Sequence, residues 1–219
     1  MKLNTPAEIK ANEYDVYADQ YTKPWNDHLV MRIKEEIQEL NLSRGKLLDI
    51  GTGTARTLIE LTKEIRLSDI KFVGVDYFED MVAAAKNNVK QCNLSERVEI
   101  YQGDVHKLIF SDHSFEVIIG RSVVHHWADP VAAYKELFRV LKPGGVIIIH
   151  EPCKNPSDEA LQYFNQQRSD MGIHGMNLEE KFTSEEVLKQ LEQAGIAKHA
   201  RVIPGKGIYS IGFELLIKK

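Results

Sequence analysis

The strongest chemical signal in this sequence is the stretch Leu47-Leu48-Asp49-Ile50-Gly51-Thr52-Gly53-Thr54-Ala55. An apolar run ends there, glycines follow, and a helical pattern opens. Glycine lets the backbone turn sharply and lets a ligand approach the main chain closely. A helix starting just beyond offers unpaired N–H groups. Asp76 closes the next apolar run, in VGVDYF. A carboxylate only accepts hydrogen bonds, and it can take one from each hydroxyl of a ribose. Loop and carboxylate together point to an adenosine nucleoside. Asp104, in Gly103-Asp104-Val105 behind the third run, can accept from the exocyclic amine of adenine, with Val105 against the ring. A dinucleotide fingerprint needs Gly or Ala three residues after the second glycine. Arg56 stands there instead, which argues against NAD, and no G-x-x-x-x-G-K-[ST] phosphate loop is present.

Five short apolar runs supply the elements that must hold these residues: 46–50, 71–76, 97–102, 115–120 and 145–150. They are β-branched and lack alternation, as strands covered on both faces should be. Helical patterns separate most of them, giving the βαβ rhythm of a parallel sheet. Residues 27–40 carry Leu29, Val30, Ile33, Ile37 and Leu40 on one stripe. Asp129-Pro130 reads as an N-cap and first-turn pair, and Pro143-Gly144-Gly145 as the stop before the fifth strand. Thr183 with Glu186 predicts a capping box, with Phe182 stapled onto Val187. Two further strands, 197–203 and 207–217, are joined by the short turn Pro204-Gly205-Lys206, which permits only an antiparallel pair. A helix is expected around 157–169, a loop around 170–181, and two helices within 5–40.

Composition sets the outer limits. A chain of 219 residues with 43% hydrophobic and 27% charged residues suits one soluble domain. A formal net charge of -4 gives no general attraction to phosphate backbones, so a nucleic-acid partner is not expected. Two cysteines, Cys92 and Cys153, make neither a disulfide framework nor a zinc site and fit a reducing cytoplasm. No secretory signal and no membrane span is expected. No metal site is expected either.

Two more segments complete a pattern: Arg121-Ser122-Val123-Val124-His125-His126-Trp127 after the fourth run, and Leu141-Lys142-Pro143-Gly144-Gly145 before the fifth. With LDIGTGTA, the acidic residue after strand two and the Gly-Asp after strand three, the sequence resembles class I S-adenosylmethionine-dependent methyltransferases. Within them it is similar to the small-molecule and quinone enzymes. It departs at Ala55, where a third glycine is commoner. The resemblance implies an α/β Rossmann-like doubly wound sheet of seven strands, ordered 3-2-1-4-5-7-6 with strand 7 antiparallel. It divides the domain into an N-terminal helical lid (1–40), a cofactor-binding core (41–150), a substrate-cap insertion (151–182) and a C-terminal helix with hairpin (183–219).

The resemblance also assigns roles. Gly51 and Gly53 contact the methionine part of S-adenosylmethionine, and Asp49 helps hold its ammonium. Asp76 takes the ribose hydroxyls and Asp104 the adenine amine. Tyr77, Met81 and Val105 enclose the adenine, with Gly103 beside them, and Arg121 and Ser122 begin the loop behind the sulfonium. Methyl transfer is an in-line displacement helped chiefly by positioning. A base is needed only where the acceptor must lose a proton, and His125 or His126 is the candidate; either could equally be a packing residue. Tyr14, Tyr17 and Tyr21 share a helical face and read equally as a lid or as packing, with Tyr21 the favoured cofactor or substrate contact. His150, Glu151 and Cys153 follow strand five, where acceptor pockets usually open. The acceptor is expected to be a small molecule. Nucleic-acid or protein methylation, and a non-catalytic binding module, are the alternatives.

Overall fold

The computed structural model describes residues 23–65, 69–170 and 175–219. The apolar runs become β1 (Arg44–Ile50), β2 (Asp69–Asp76), β3 (Val98–Gln102), β4 (Phe115–Arg121) and β5 (Leu141–Pro152). Two later strands are β6 (Ala200–Pro204) and β7 (Gly212–Lys218). They form one sheet in the order β3-β2-β1-β4-β5-β7-β6. β7 runs antiparallel to both neighbours and the rest are parallel. The order and the hand of β7 match the expectation.

Alternate strand residues feed two separate cores, which explains why the runs do not alternate with polar residues. Leu48, Ile50, Val75, Ile118, Ile147 and Ile149 pack under α4 (Pro130–Val140) and α6 (Ser184–Gln193). Leu47, Phe72, Ile119 and Ile148 pack under α1 (Lys23–Glu39), α2 (Arg56–Glu64) and α3 (Glu79–Gln91). The caps stand where the sequence puts them. Asp129 accepts from Ala132 N at 3.0 Å, and Thr183 and Glu186 form a reciprocal capping box. The helix expected around 157–169 is α5 (Asp158–Asp170).

β6 begins only at Ala200, with Ala197–His199 in a 3₁₀ turn, and β5 runs on to Pro152, so His150 and Glu151 lie within it. Two further boundaries differ. α4 ends at Val140, before Pro143, because Leu141 already pairs with Phe115. The Pro-Gly-Gly segment then forms an irregularity inside β5, with Gly144 at φ +79°. The second correction concerns 207–217, where only residues from Gly212 are strand. Gly207–Ile211 form a 3₁₀ turn instead, and Tyr209 within it stacks on His28 of α1 at 4.5 Å. The β6–β7 link is therefore longer than the three-residue turn expected. Of the two helices expected within 5–40, α1 is described; the lid tyrosines Tyr14, Tyr17 and Tyr21 lie outside the described residues.

Candidate active site

The glycine loop is held by the neighbouring strand. Gly51 N and Thr52 N both donate to Val75 O, at 2.8 and 3.0 Å. Gly51, Gly53 and Ala55 have φ of 67°, 54° and 64°. Ala55 thus adopts the left-handed backbone that a third glycine would take more easily. It is fully buried at the start of α2.

Asp76 is the latch of this loop. Its Oδ2 accepts from Gly53 N at 2.8 Å and its Oδ1 from Phe78 N at 3.0 Å. Burial pushes its carboxyl up, against hydrogen bonds from Phe78, Gly53 and Tyr77. A carboxylate has about four lone-pair sites, so these backbone contacts still leave acceptor capacity for a ligand. Asp104 is half-exposed and accepts from His106 N at 2.9 Å and from the His106 ring. The same ring accepts from Asp129 N at 3.1 Å, tying this loop to α4. Sequence reasoning missed His106, although its spacing two residues after Asp104 is that of an Asx-type turn. Tyr77 is exposed, Met81 sits in the first turn of α3, and Val105 packs partly on the core. Gln102, also missed, donates to Tyr77 O at 3.2 Å.

Asp49 is buried at the tip of β1 and accepts from Thr52 Oγ1 at 2.8 Å. Burial pushes its carboxyl up to about 7, against the Thr52 hydrogen bond and the Arg121 charge. The folded protein therefore holds this proton more tightly than the unfolded chain, whose carboxyl titrates near 3.8. Stability should fall as pH rises from about 4 to about 7. An Asp49→Asn variant should lose that decline, seen as a flatter plot of melting temperature against pH.

His125 and His126 stand close, with ring centroids 3.9 Å apart. His125 is buried, and its Nδ1 is bonded to a Glu151 oxygen. The same carboxylate accepts from Val123 N (2.9 Å), Val124 N (3.1 Å) and His125 N (3.3 Å). Glu151 thus caps the 3₁₀ turn Val124–His126 and holds this loop to β5. Neither histidine lines the cavity described next.

A cavity of about 420 Å³ opens where β4, β5 and β6 end and β7 begins. Its apolar walls include Trp25, Phe164, Ile211 and Phe213, and its polar wall comprises His28, Arg32, Arg121, His150 and Glu214. The strand register explains this gathering. Arg121 pairs with His150, His150 with Glu214, and Glu214 with Ile203, so all four lie on one rung. Ile50, the last residue of β1, pairs with both Val75 and Gly120, so Asp76 and Arg121 each lie one residue beyond a partner of that strand end. Asp76 in turn pairs with Gln102. The cofactor candidates and the cavity therefore lie at the same end of the parallel strands, on either side of the β1/β4 junction where the strand order reverses. Trp25, His28 and Arg32 reach the cavity because they recur at i, i+3 and i+7 on α1, beside its apolar stripe. That spacing was visible in the sequence.

Glu214 is the electrostatic centre of the cavity. Arg32 donates to it through Nε at 2.9 Å and Nη2 at 3.1 Å, and His150 Nε2 lies 3.0 Å away. Burial raises its carboxyl, but the His150 and Arg32 hydrogen bonds outweigh that and hold it at about 2.

The comparisons agree with this geometry. A family model described as a methyltransferase domain matches residues 41–196. Demethylmenaquinone methyltransferase of Staphylococcus saprophyticus is 32% identical over 134 residues, covering 61% of this chain and 54% of that protein. Phosphoethanolamine N-methyltransferase 1 of Arabidopsis thaliana is 32% identical over 142 residues, 63% of this chain and 28% of that protein. The chain thus spans about half or less of these curated relatives. A solved Methanococcus maripaludis structure, designated an S-adenosyl-L-methionine-dependent methyltransferase, superposes with a TM-score of 0.72 at 26% identity, covering 95% of this chain and 91% of that one. A sheet in the 3-2-1-4-5-7-6 order, a glycine loop latched by the next strand's aspartate, and a family match over most of the length lead to one conclusion: the chain belongs to the methyltransferase-domain family, of the class I, S-adenosylmethionine-dependent type.

Proposed function

We propose that the protein transfers a methyl group from S-adenosylmethionine to a small molecule bound in the 420 Å³ cavity. The observation that carries this reading is the strand register, which brings Asp76 and the cavity residues Arg121, His150 and Glu214 to the same end of the sheet. The residues suit the cofactor. Asp76 and Asp104 offer oxygens to its sugar and base, the buried Asp49 offers a counter-charge to its ammonium, and the glycine loop admits its methionine part. Gly103, Tyr77, Met81 and Val105 complete the adenine side. When bound, the cofactor supplies an electrophilic methyl on a sulfonium. The cavity lies at the small end of the roughly 300–1,000 Å³ range of drug-sized sites, and Phe164 of α5 in its wall supports the cap reading of 151–182.

Among the described residues no helix is long and apolar enough to cross a membrane. Two unpaired thiols, Cys92 and Cys153, favour a reducing cytoplasm.

Incubation with methyl-labelled S-adenosylmethionine and a small-molecule cell extract should place label on a low-mass product and release S-adenosylhomocysteine. Melting-temperature shifts should show stabilisation by S-adenosylhomocysteine. Stabilisation by NAD instead, with no labelled product, would overturn the reading.

A further inference from the structure

The polar end of the cavity is organised around one imidazole. The His150 side chain is 13% exposed at the tip of β5. The Glu214 carboxylate faces its Nε2, which makes that nitrogen the N–H donor and leaves the lone pair on Nδ1. Nδ1 has no hydrogen-bond partner among the described residues and is not sealed in the interior. Arg32 fixes Glu214 through two hydrogen bonds, so the carboxylate cannot swing away without breaking both. The His28 ring lies 5.1 Å from His150, centroid to centroid, and is held by its stack on Tyr209. Burial, then the neighbouring His150, lowers the proton affinity of His28, so it adds no competing positive charge at neutral pH. Arg121 stands beside His150 on the rung, where it favours negative charge developing on a bound oxygen. The remaining charged or titratable groups are Lys206 and Tyr209 in the β6–β7 link and Glu151, already bonded to His125.

We propose that His150 is the general base of the reaction, positioned by Glu214 and Arg32, and that the acceptor is an apolar molecule bearing a weakly acidic phenolic or enolic hydroxyl. The inference rests on the methyl-transfer reading above. The hydroxyl proton passes to His150 Nδ1. The acceptor oxygen forms a bond to the methyl carbon as the carbon–sulfur bond breaks, its electron pair remaining on sulfur. The positive charge lost from the sulfonium reappears on the imidazole beside Glu214. The imidazolium returns its proton to water after product leaves. Trp25, Phe164, Ile211 and Phe213 hold the apolar body of the acceptor. A pre-ionised acceptor would need no such base, and an aliphatic alcohol would be too weak an acid for an imidazole.

The test uses the full chain, methyl-labelled S-adenosylmethionine and two probes, 4-methylphenol and the more acidic 4-nitrophenol, at a pH where only the second is ionised. His150→Gln should lower kcat for 4-methylphenol by about 100- to 10,000-fold and for 4-nitrophenol by less than about tenfold. Its affinity for S-adenosylhomocysteine should be unchanged. Glu214→Gln should lower kcat for 4-methylphenol and leave its KM little changed, because the imidazolium loses the carboxylate that faces it. A readout independent of turnover is the ¹⁵N imidazole spectrum of the S-adenosylhomocysteine complex. It should show His150 protonated on Nε2 alone, with Nδ1 shifting when 4-methylphenol is added. The spectrum uses the wild-type chain and decides whether or not the variants fold. Equal losses for both phenols, or a proton on Nδ1, would overturn the assignment. A wild-type chain that binds S-adenosylhomocysteine but methylates neither phenol would overturn the acceptor class. A chain that binds no S-adenosylhomocysteine would overturn the methyl-transfer reading instead.

Discussion

Asp76→Ala should weaken S-adenosylhomocysteine binding by about 100-fold or more, since hydrogen bonds to a charged group contribute about 1.5–3 kcal/mol each. The loss has two sources. The ribose hydroxyls lose their acceptor, and the loop loses its latch, because the same carboxylate accepts from Gly53 N and Phe78 N. Asp76→Asn separates them. Its single amide oxygen can satisfy one backbone donor, while its NH₂ group faces the other donor unfavourably. The asparagine variant should therefore bind more tightly than the alanine variant and less tightly than wild type. Titration calorimetry measures all three. Wild-type affinity in the alanine variant would show that this carboxylate neither holds the ribose nor shapes the loop for it.

A second large effect, on stability, is expected from Gly51→Ala. A Cβ built at Gly51 would lie 2.5 Å from Val123 Cγ1, and the residue has φ +67°. Left-handed backbone costs a non-glycine residue roughly 1–2 kcal/mol, and overpacking adds roughly 1–3. The melting temperature should fall by an amount on the order of 10 °C. Val123→Ala removes the overlap but leaves the backbone strain. The double variant should then be more stable than the two single losses added together, by about 1–3 kcal/mol. Strict additivity would mean that the overlap relaxes without cost. Gly51 thus joins the cofactor loop to the Val123–His126 loop, so packing in one constrains the other.

The strands were readable because the sheet is covered on both faces, which writes uninterrupted apolar runs into the chain. The placement of Asp76 and Asp104 at neighbouring strand ends was readable because strand tips in a parallel sheet converge wherever the strands are adjacent. The start of β5 was not. Pro143-Gly144-Gly145 looks like a helix stop, yet the helix ends earlier because Leu141 finds Phe115. The turn at 207–211 was hidden for a similar reason: Tyr209 is placed by its stack on His28, far away in sequence. The cavity was hidden more deeply. His150 and Glu214 meet only because β7 lies beside β5, an order that the resemblance implied and no local spacing contains. His125 and His126, the base candidates of the sequence, are adjacent in a loop where the His125 ring is engaged with Glu151.

The place of β7 between β5 and β6 bears on how the molecule comes into being on the ribosome. Strands β1 to β5 all precede residues 212–218 in the chain and so leave the ribosome first. Until then the β5 segment Ile147-Ile148-Ile149 presents an open, sticky edge that other nascent chains could join. The wall of the cavity that holds Glu214 is equally late to arrive. A ribosome stalled before that point would expose a chain whose glycine-loop half can assemble while one wall of the neighbouring cavity is still missing.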